Sequence, residues 1–244
     1  MIDILLKNLK GTDWEMLTDF VSPVFFDVVP TFGMASAFAS IAKDYADKTK
    51  FERVREQVAK SLEDPLKIAI AKTRGEDLLA SLSHDKKIER GEKVLEVYFR
   101  QLLTCETGIL DLRSSSFSGT ATWHPNSIYY RWKPDFRSAI AGMYRGFYLG
   151  DDAAFNQGLR ELNLLHAADK FRAHFGSGSQ EAVTFKLSEF KKSFHAIFVS
   201  CKENRAKLHP DFFALGVYLV CLYEHLEALG VPLNVRASFI KAQG

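Results

Sequence analysis

Side chains able to bind or transform a ligand are densest between Trp123 and Arg145. Arginine can hold a carboxylate or a phosphate through two parallel hydrogen bonds, and phenol and imidazole groups supply further donors. The segment therefore predicts a site for an anionic small ligand. The alternative is that the rings pack between two helical halves of the chain while the arginines pair with nearby acids. The candidate ligand-binding residues are Trp123, His124, Asn126, Tyr129, Arg131, Arg137, Tyr144 and Arg145.

The histidines offer a weaker case for a metal centre. His166, Asp169 and His174 share one predicted helix, but the spacing of the two histidines leaves them imperfectly aligned. The sequence has no Glu-x-x-His pattern and no cluster of cysteine and histidine, which are the usual signatures of ferritin-like and zinc sites. No metal ligand is therefore predicted, although a metal site assembled from distant helices stays open as an alternative.

Other catalytic signatures are also missing from the sequence. There is no phosphate-binding loop, no Gly-x-Gly-x-x-Gly after a strand and no Gly-x-Ser-x-Gly nucleophile elbow. Glu224 and His225 are neighbours on a predicted helix and point about 100° apart, so they are not expected to act together. The sequence favours a non-enzymatic binding or regulatory protein whose partner and cofactor are unknown. The alternative is an all-α enzyme, or a cofactor- or metal-binding bundle, whose pocket collects distant residues such as His124, Arg137 and Tyr144.

Composition is that of an ordinary globular protein. The 244 residues are 47% hydrophobic and 25% charged, and 20 phenylalanines predict a large core. A net charge of +2 argues against a nucleic-acid surface, which usually has a basic excess. Cys105, Cys201 and Cys221 are far apart in the sequence, which is typical of reduced core thiols. With no basic leader at the amino terminus, the expected location is the cytoplasm.

The elements that would position these side chains are mostly helices. Pro210–Gly230 carries the strongest signal, because no residue from Phe212 to Tyr223 is charged. A helix that is apolar on every side has no solvent face and belongs in the core of a bundle. The run is shorter than the roughly 20 apolar residues that cross a bilayer, so no transmembrane segment is predicted.

Helix-start and helix-stop signals divide the rest of the chain. Asp64-Pro65 is typical of a helix start, which predicts a short helix over residues 66–73. The tail, Val231–Gly244, is expected to lie on the surface. Further helices are predicted over Lys86–Cys105, Asp135–Gly150, Leu165–Phe175 and Glu181–Cys201.

A change of pattern in the middle of the chain predicts a small β-hairpin or β-patch near residues 109–132, where β-branched and aromatic residues surround a His-Pro-Asn turn. The predicted fold is therefore mainly α, a bundle of roughly ten helices in one domain over residues 1–244. The β-patch is also a boundary at which the domain would divide into residues 1–107 and 108–244. The apolar segment Phe20–Ala42 suits burial, including burial in a homodimer.

The order of several short motifs resembles the UbiB/AarF atypical-kinase family. The first is His124-Pro-Asn-Ser-Ile-Tyr129, which is similar to that family's His-Pro-Gly-Asn-Ile segment. The resemblance continues over about 120–230. It is carried by Phe136-Arg137, Gly150-Asp151-Asp152-Ala-Ala-Phe155, Leu162-Asn-Leu164 and His209-Pro-Asp-Phe-Phe-Ala-Leu215.

The sequence departs from this family at the residues that carry its catalysis. No glycine stands between Pro125 and Asn126, and no Asp-Phe-Gly motif follows. No glycine-rich or alanine-rich nucleotide loop with a paired lysine is found in the first half. Because a phosphotransferase needs metal-holding acids and a phosphate cradle, the resemblance implies a reduced, non-catalytic relative.

Overall fold

The computed structural model of the chain describes residues 23–29, 48–73, 79–175 and 182–244. These residues are mainly helical with a few short strands, which confirms the predicted class. The helices are α1 (Pro23–Val28), α2 (Lys48–Leu66), α3 (His84–Thr104), α4 (Pro134–Leu149), α5 (Asp152–Glu161), α6 (Ala168–Phe175), α7 (Leu187–Glu203), α8 (Phe212–Leu229) and α9 (Val235–Gln243).

The number of helices differs from the prediction. In the described ranges eight helices have eight residues or more and α1 has six, against an expectation of roughly ten. The apolar segment Phe20–Ala42, with its predicted dimer contact, lies outside the described residues except for residues 23–29.

Pro65 shows why one helix boundary was misplaced. It lies inside the last turn of α2 and does not open a new helix over residues 66–73. A proline leaves the carbonyl four residues earlier without its helical hydrogen bond. Here the Arg100 Nε–H of α3 donates to that Ser61 oxygen at 3.4 Å. The helix ends at Lys67, whose φ of 54° is left-handed, and β1 (Ala69–Ile70) follows.

The β-patch predicted near residues 109–132 is confirmed and consists of two small sheets. Strand β1 pairs in parallel with β4 (Thr122–Trp123), which forms an antiparallel hairpin with β3 (Phe117–Ser118). Strand β2 (Thr107–Ile109) pairs antiparallel with β5 (Tyr129–Arg131). The patch therefore connects α2, α3 and the segment before α4.

Helix α8 is a core helix, as predicted. Every residue from 212 to 222 is buried, and the helix ends at Gly230 with a left-handed φ of 64°. Among the described helices α8 alone is also long and apolar enough to cross a membrane, and 72% of that window is buried within the chain. Length and composition are shared by core helices and membrane spans, so they do not distinguish the two.

The prediction that the carboxy-terminal tail lies on the surface is wrong. Residues 235–243 form α9, in which Phe239 and Ala242 are completely buried. The Phe239 ring meets the Phe99 ring of α3 edge to face at a centroid distance of 5.1 Å. Gly91 of α3 leaves room for Leu233, just before α9, because a Cβ there would lie 2.7 Å from the Leu233 methyl carbons. The apolar surface of α3 therefore buries a carboxy-terminal helix whose own sequence has only a weak amphipathic pattern.

Helices α4 and α5 pack closely through two glycines. A Cβ on Gly146 would lie 2.2 Å from the Phe155 main-chain nitrogen, and one on Gly158 would lie 2.6 Å from the Ala139 carbonyl oxygen. Both obstacles are backbone atoms, which cannot move without shifting a helix. The absence of side chains at these positions therefore sets the distance between α4 and α5.

We expect Gly146→Ala to lower the free energy of unfolding by about 1–3 kcal/mol, because the added methyl group overpacks a backbone contact. Gly142→Ala on the same helix is the matched control. No atom lies within 4 Å of a Cβ at that position, so alanine should be neutral or stabilise by up to about 1 kcal/mol. Urea unfolding of both variants measures the difference. Equal effects at the two positions would contradict this account of the α4–α5 contact.

Candidate functional site

Two of the predicted site residues, Trp123 and Asn126, form hydrogen bonds to the buried Asp111, and a third, His124, bonds to Ser116. The Trp123 Nε1–H donates to the Asp111 carbonyl oxygen at 2.8 Å. The main-chain and side-chain N–H groups of Asn126 donate to Asp111 Oδ2 at 2.9 and 2.7 Å. His124 is also buried, and its main-chain N–H donates to the Ser116 carbonyl oxygen at 2.9 Å. The structure thus joins Trp123 and Asn126 to an acid that the sequence did not single out, and it joins His124 to Ser116, another partner of that acid.

The Asp111 carboxylate is already well satisfied by its own chain. The Arg113 Nε–H donates to Oδ1 at 2.7 Å, and the Ser116 hydroxyl donates to Oδ2 at 2.6 Å. Burial by itself would raise the pKa of Asp111. The hydrogen bonds from Arg113, Ser116 and Asn126 and the charge of Arg113 together hold that pKa below its usual value. A ligand would have to displace these bonds, so we assign the carboxylate to folding of the loop.

We expect Asp111→Ala to lower the free energy of unfolding by about 3–5 kcal/mol, because the buried Arg113 guanidinium loses its carboxylate. Urea unfolding provides the measurement. The double variant Asp111→Ala/Arg113→Met serves as the control, and it should recover much of the loss because both charges are removed. A single variant within about 1 kcal/mol of the parent would show that the pair is not a folding element.

The other five predicted residues have separate surroundings. Tyr129 is buried and its ring stacks on Phe51 at a centroid distance of 6.0 Å. Arg131 is exposed and pairs with the exposed Glu106 at 3.5 Å, as the packing alternative expects. Three of the residues lie on α4, where Arg145 is exposed, Arg137 is partly exposed and Tyr144 is buried. The eight candidates are therefore not gathered in one place.

Glu224 and His225 bind different partners, as their angular separation on α8 predicts. Glu224 accepts hydrogen bonds from the main-chain N–H and the hydroxyl of Ser114, both at 2.8 Å. Arg90 donates from Nε to His225 Nε2 at 2.8 Å. The other ring nitrogen, Nδ1, is 2.8 Å from the Leu112 carbonyl oxygen and must donate to it. His225 is therefore neutral, with its proton on Nδ1.

The pKa of His225 is lowered from its usual 6.5 to about 3, by burial and by the charge of Arg90. The unfolded chain then binds one more proton than the folded chain between these values, so stability is present above about pH 6.5 and is lost as pH falls. We expect the free energy of unfolding to fall by about 2 kcal/mol from pH 7 to pH 5 because of His225 alone.

Urea unfolding at the two pH values tests this expectation in the parent and in His225→Gln. The glutamine retains a donor and an acceptor but does not titrate, so the pH-dependent loss should be smaller by the stated amount. His195→Gln, at an exposed position on α7, controls for removal of a histidine. Identical pH profiles for the parent and His225→Gln would refute the assignment of a buried neutral imidazole.

A cavity of about 540 Å³ opens among α3, α4, α6, α7, α8 and α9. We call it the tyrosine cavity, because Tyr98, Tyr144, Tyr148 and Tyr223 line it. Its volume lies in the range of small-molecule sites. Tyr144 is the one predicted site residue in this lining. The remaining inner wall is apolar and consists of Leu95, Phe99, Phe190, Leu219, Leu222 and Val235.

The tyrosines present neutral hydroxyl groups to their surroundings. The Tyr98 and Tyr144 hydroxyl oxygens are 2.6 Å apart and share a hydrogen bond. Burial raises the pKa of Tyr98, Tyr144, Tyr148 and Tyr223, so the phenols stay protonated at physiological pH. The wall can therefore donate and accept hydrogen bonds, but the phenols are not ready bases.

The exposed part of the lining comes from residues 183–193. Val183 and Leu233 exchange two main-chain hydrogen bonds of 2.8 and 2.9 Å, which tie this segment to the start of α9. Lys186, Glu189 and Lys192 follow it and are all exposed. Glu189 and Lys192 form an ion pair at 2.8 Å. We call these three charged residues the mouth of the cavity.

No group of three or more His, Cys, Asp or Glu side chains within the described residues is arranged to hold a metal ion. The side chain of His174, part of the metal alternative, lies outside the described atoms. Cys105, Cys201 and Cys221 are free and buried, as predicted, and burial raises the pKa of each thiol. They are therefore core residues rather than activated nucleophiles.

Comparison of the sequence with known protein families gives no match, and comparison with curated proteins also gives none. Neither result bears on the resemblance to the UbiB/AarF family, which stays a hypothesis drawn from short motifs. Any functional proposal for this chain must therefore rest on its own geometry.

Two groups of residues were missed by the sequence reasoning. Asp111 interrupts the apolar segment Ile109–Leu112, and Arg90 lies one turn before the buried Val94 on α3. A charge on an apolar face is the signal that would have found both. The tyrosine cavity left no such signal. Its walls come from six helices, and an isolated tyrosine on an apolar stripe has the pattern of an ordinary core residue.

Proposed function

We propose that this protein is a non-enzymatic binding protein that holds a small, largely apolar molecule in the tyrosine cavity. The observation that carries the proposal is the cavity itself, a space of about 540 Å³ with an aromatic and aliphatic wall. Apolar pockets of this size with a few polar groups are the usual form of small-molecule sites. The proposal moves the ligand from the whole segment Trp123–Arg145 to a site that shares only Tyr144 with it.

The nature of the wall favours binding over catalysis. Its inner polar groups are phenols whose raised pKa keeps them neutral, and the charged side chains at the mouth are exposed. General acid–base chemistry works best with groups whose pKa is close to the working pH. Helices form most of the wall, and this suits a preformed site, which loses little entropy when the ligand enters.

An enzyme or cofactor protein with a pocket assembled from distant helices remains the second candidate. The observation in its favour is the contact at 2.6 Å between the hydroxyl groups of Tyr98 and Tyr144, two residues that line the cavity. The two candidates differ in what happens to the bound molecule. A binding protein releases it unchanged, whereas an enzyme converts it, and mass spectrometry of the released molecule separates the two.

We expect Leu222→Phe to weaken binding of a neutral apolar dye, Nile red, by at least tenfold, because the larger ring occupies the cavity. Leu222 lines the cavity, and the added atoms have empty space to enter. Stability should be unchanged or slightly raised by the filled space. Fluorescence titration measures the affinity, and urea unfolding measures the stability.

Leu226→Phe is the matched control on the same helix. Leu226 is completely buried one turn later and is not part of the cavity lining. The same substitution there should overpack the core, at a cost of about 1–3 kcal/mol, and leave dye affinity unchanged. Dye binding that is absent from the parent, or equally affected by both substitutions, would reject the proposed site.

The remaining parts of the proposal concern context. We place this binding protein in the cytoplasm, with the buried, unpaired cysteines as support. If the resemblance to the UbiB/AarF family is genuine, it would make the protein a relative that kept helices and lost phosphoryl transfer. Such a relative should also release its ligand unchanged, which the same mass spectrometry would test.

A further inference from the structure

Charge is distributed unevenly along the tyrosine cavity. Among the described residues, the inner wall has no ionisable group other than phenols, whereas Lys186, Glu189 and Lys192 all lie at the mouth. A ligand that fills this space would contact apolar side chains at one end and charged side chains at the other. The cavity therefore fits an amphiphile better than a wholly apolar molecule.

The mouth has an excess of positive charge. Lys192 is engaged by Glu189 at 2.8 Å, so these two charges largely cancel. Lys186 is exposed, and it forms no ion pair with the residues that the structure describes. Its charge is felt locally, because Lys186 together with Lys192 lowers the pKa of Glu189, with Lys192 the larger cause. One ammonium group at the mouth is therefore available to an anion.

The position of Lys186 adds to this potential. It is the N-cap residue of α7, and no side chain caps that end of the helix. The amino terminus of a helix carries partial positive charge from its aligned peptide dipoles. The carboxylate of Glu189, in the first turn, compensates part of this positive charge. The helix end adds to the positive potential that the lysines create at the mouth. The neighbouring cavity supplies the apolar contacts that would hold the rest of an anionic ligand.

We infer that the ligand of the tyrosine cavity is an anionic amphiphile, such as a carboxylic acid with an apolar chain or ring body. Its body fills the aromatic wall and its carboxylate binds Lys186 at the mouth, with Lys192 as a second donor. This inference rests on the proposed function, and it names the chemical class of the molecule bound there. Hydrogen bonds between charged groups are about twice as strong as those between neutral groups, so the head group would carry much of the selectivity.

The test uses four probes that share one chain and differ in the head group: dodecanoate, dodecanol, methyl dodecanoate and dodecylamine. Each competes with Nile red for the full-length protein. We expect dodecanoate to bind about tenfold more tightly than the alcohol or the ester, and the amine to bind most weakly. The preference for the carboxylate should decrease as salt screens the exposed lysine.

Two substitutions at the mouth should act in opposite directions. Lys186→Gln should weaken dodecanoate several-fold and leave dodecanol unchanged, whereas Glu189→Gln should strengthen dodecanoate because it removes a competing carboxylate. Lys202→Gln is the control for loss of one positive charge from α7. Lys202 is paired with Asp27 at 2.8 Å and does not line the cavity, so dodecanoate affinity should be unaffected.

The outcomes separate this inference from the proposed function. Equal affinity for acid, alcohol and ester, with all of them lost in Leu222→Phe, would overturn the anionic head group and leave the apolar site standing. A preference for the amine would overturn it as well. Failure of every probe and of Nile red to bind would overturn the proposed function itself. Opposite effects of Lys186→Gln and Glu189→Gln on the acid alone would support the inference.

Discussion

The rest of the structure depends on the need to enclose α8. The eleven residues from Phe212 to Leu222 are all buried, so the first three turns of this helix have no face that can meet water. Other helices, including α3 and α7, must surround it and cover its apolar surface. Large rings such as Tyr98 and Tyr223 lie between these helices, and both line the tyrosine cavity.

The end of α8 gives the enclosed helix a second role. Glu224 accepts two hydrogen bonds from Ser114, and His225 is held between Arg90 and the Leu112 carbonyl. Buried polar groups must be paired, and here the pairs join α8, α3 and the loop before β3. The β-patch is thereby fastened to the bundle by hydrogen bonds as well as by apolar contact.

The same requirement separates structural polar groups from candidates for ligand binding. The Asp111 carboxylate accepts hydrogen bonds from Arg113, Ser116 and Asn126, which leaves little capacity for another molecule. Lys186 is exposed beside an apolar cavity. The exposed ammonium group of Lys186 can pair with an anion while it stays largely hydrated. That contrast places the functional proposal at the cavity and away from the polar network around Asp111.

The main elements could be read from the amino-acid sequence. The apolar run Phe212–Tyr223 predicted a core helix, and the helices predicted to end at Gly150 and Gly230 end there, with both glycines in left-handed conformations. These features depend on neighbouring residues, so local patterns are enough to predict them. The β-patch was also predicted in place, because β-branched and aromatic residues with turn signals are a local pattern too.

Contacts between distant residues decided the rest. Arg100 satisfies the Ser61 carbonyl and allows α2 to continue through Pro65, and α3 offers Phe239 a buried position that the tail sequence did not reveal. The eight candidate residues from Trp123 to Arg145 were divided among different surroundings for the same reason. The tyrosine cavity is formed where six helices meet. A sequence pattern shows which face of a helix is apolar, but the space between several such faces is defined only when the chain is folded.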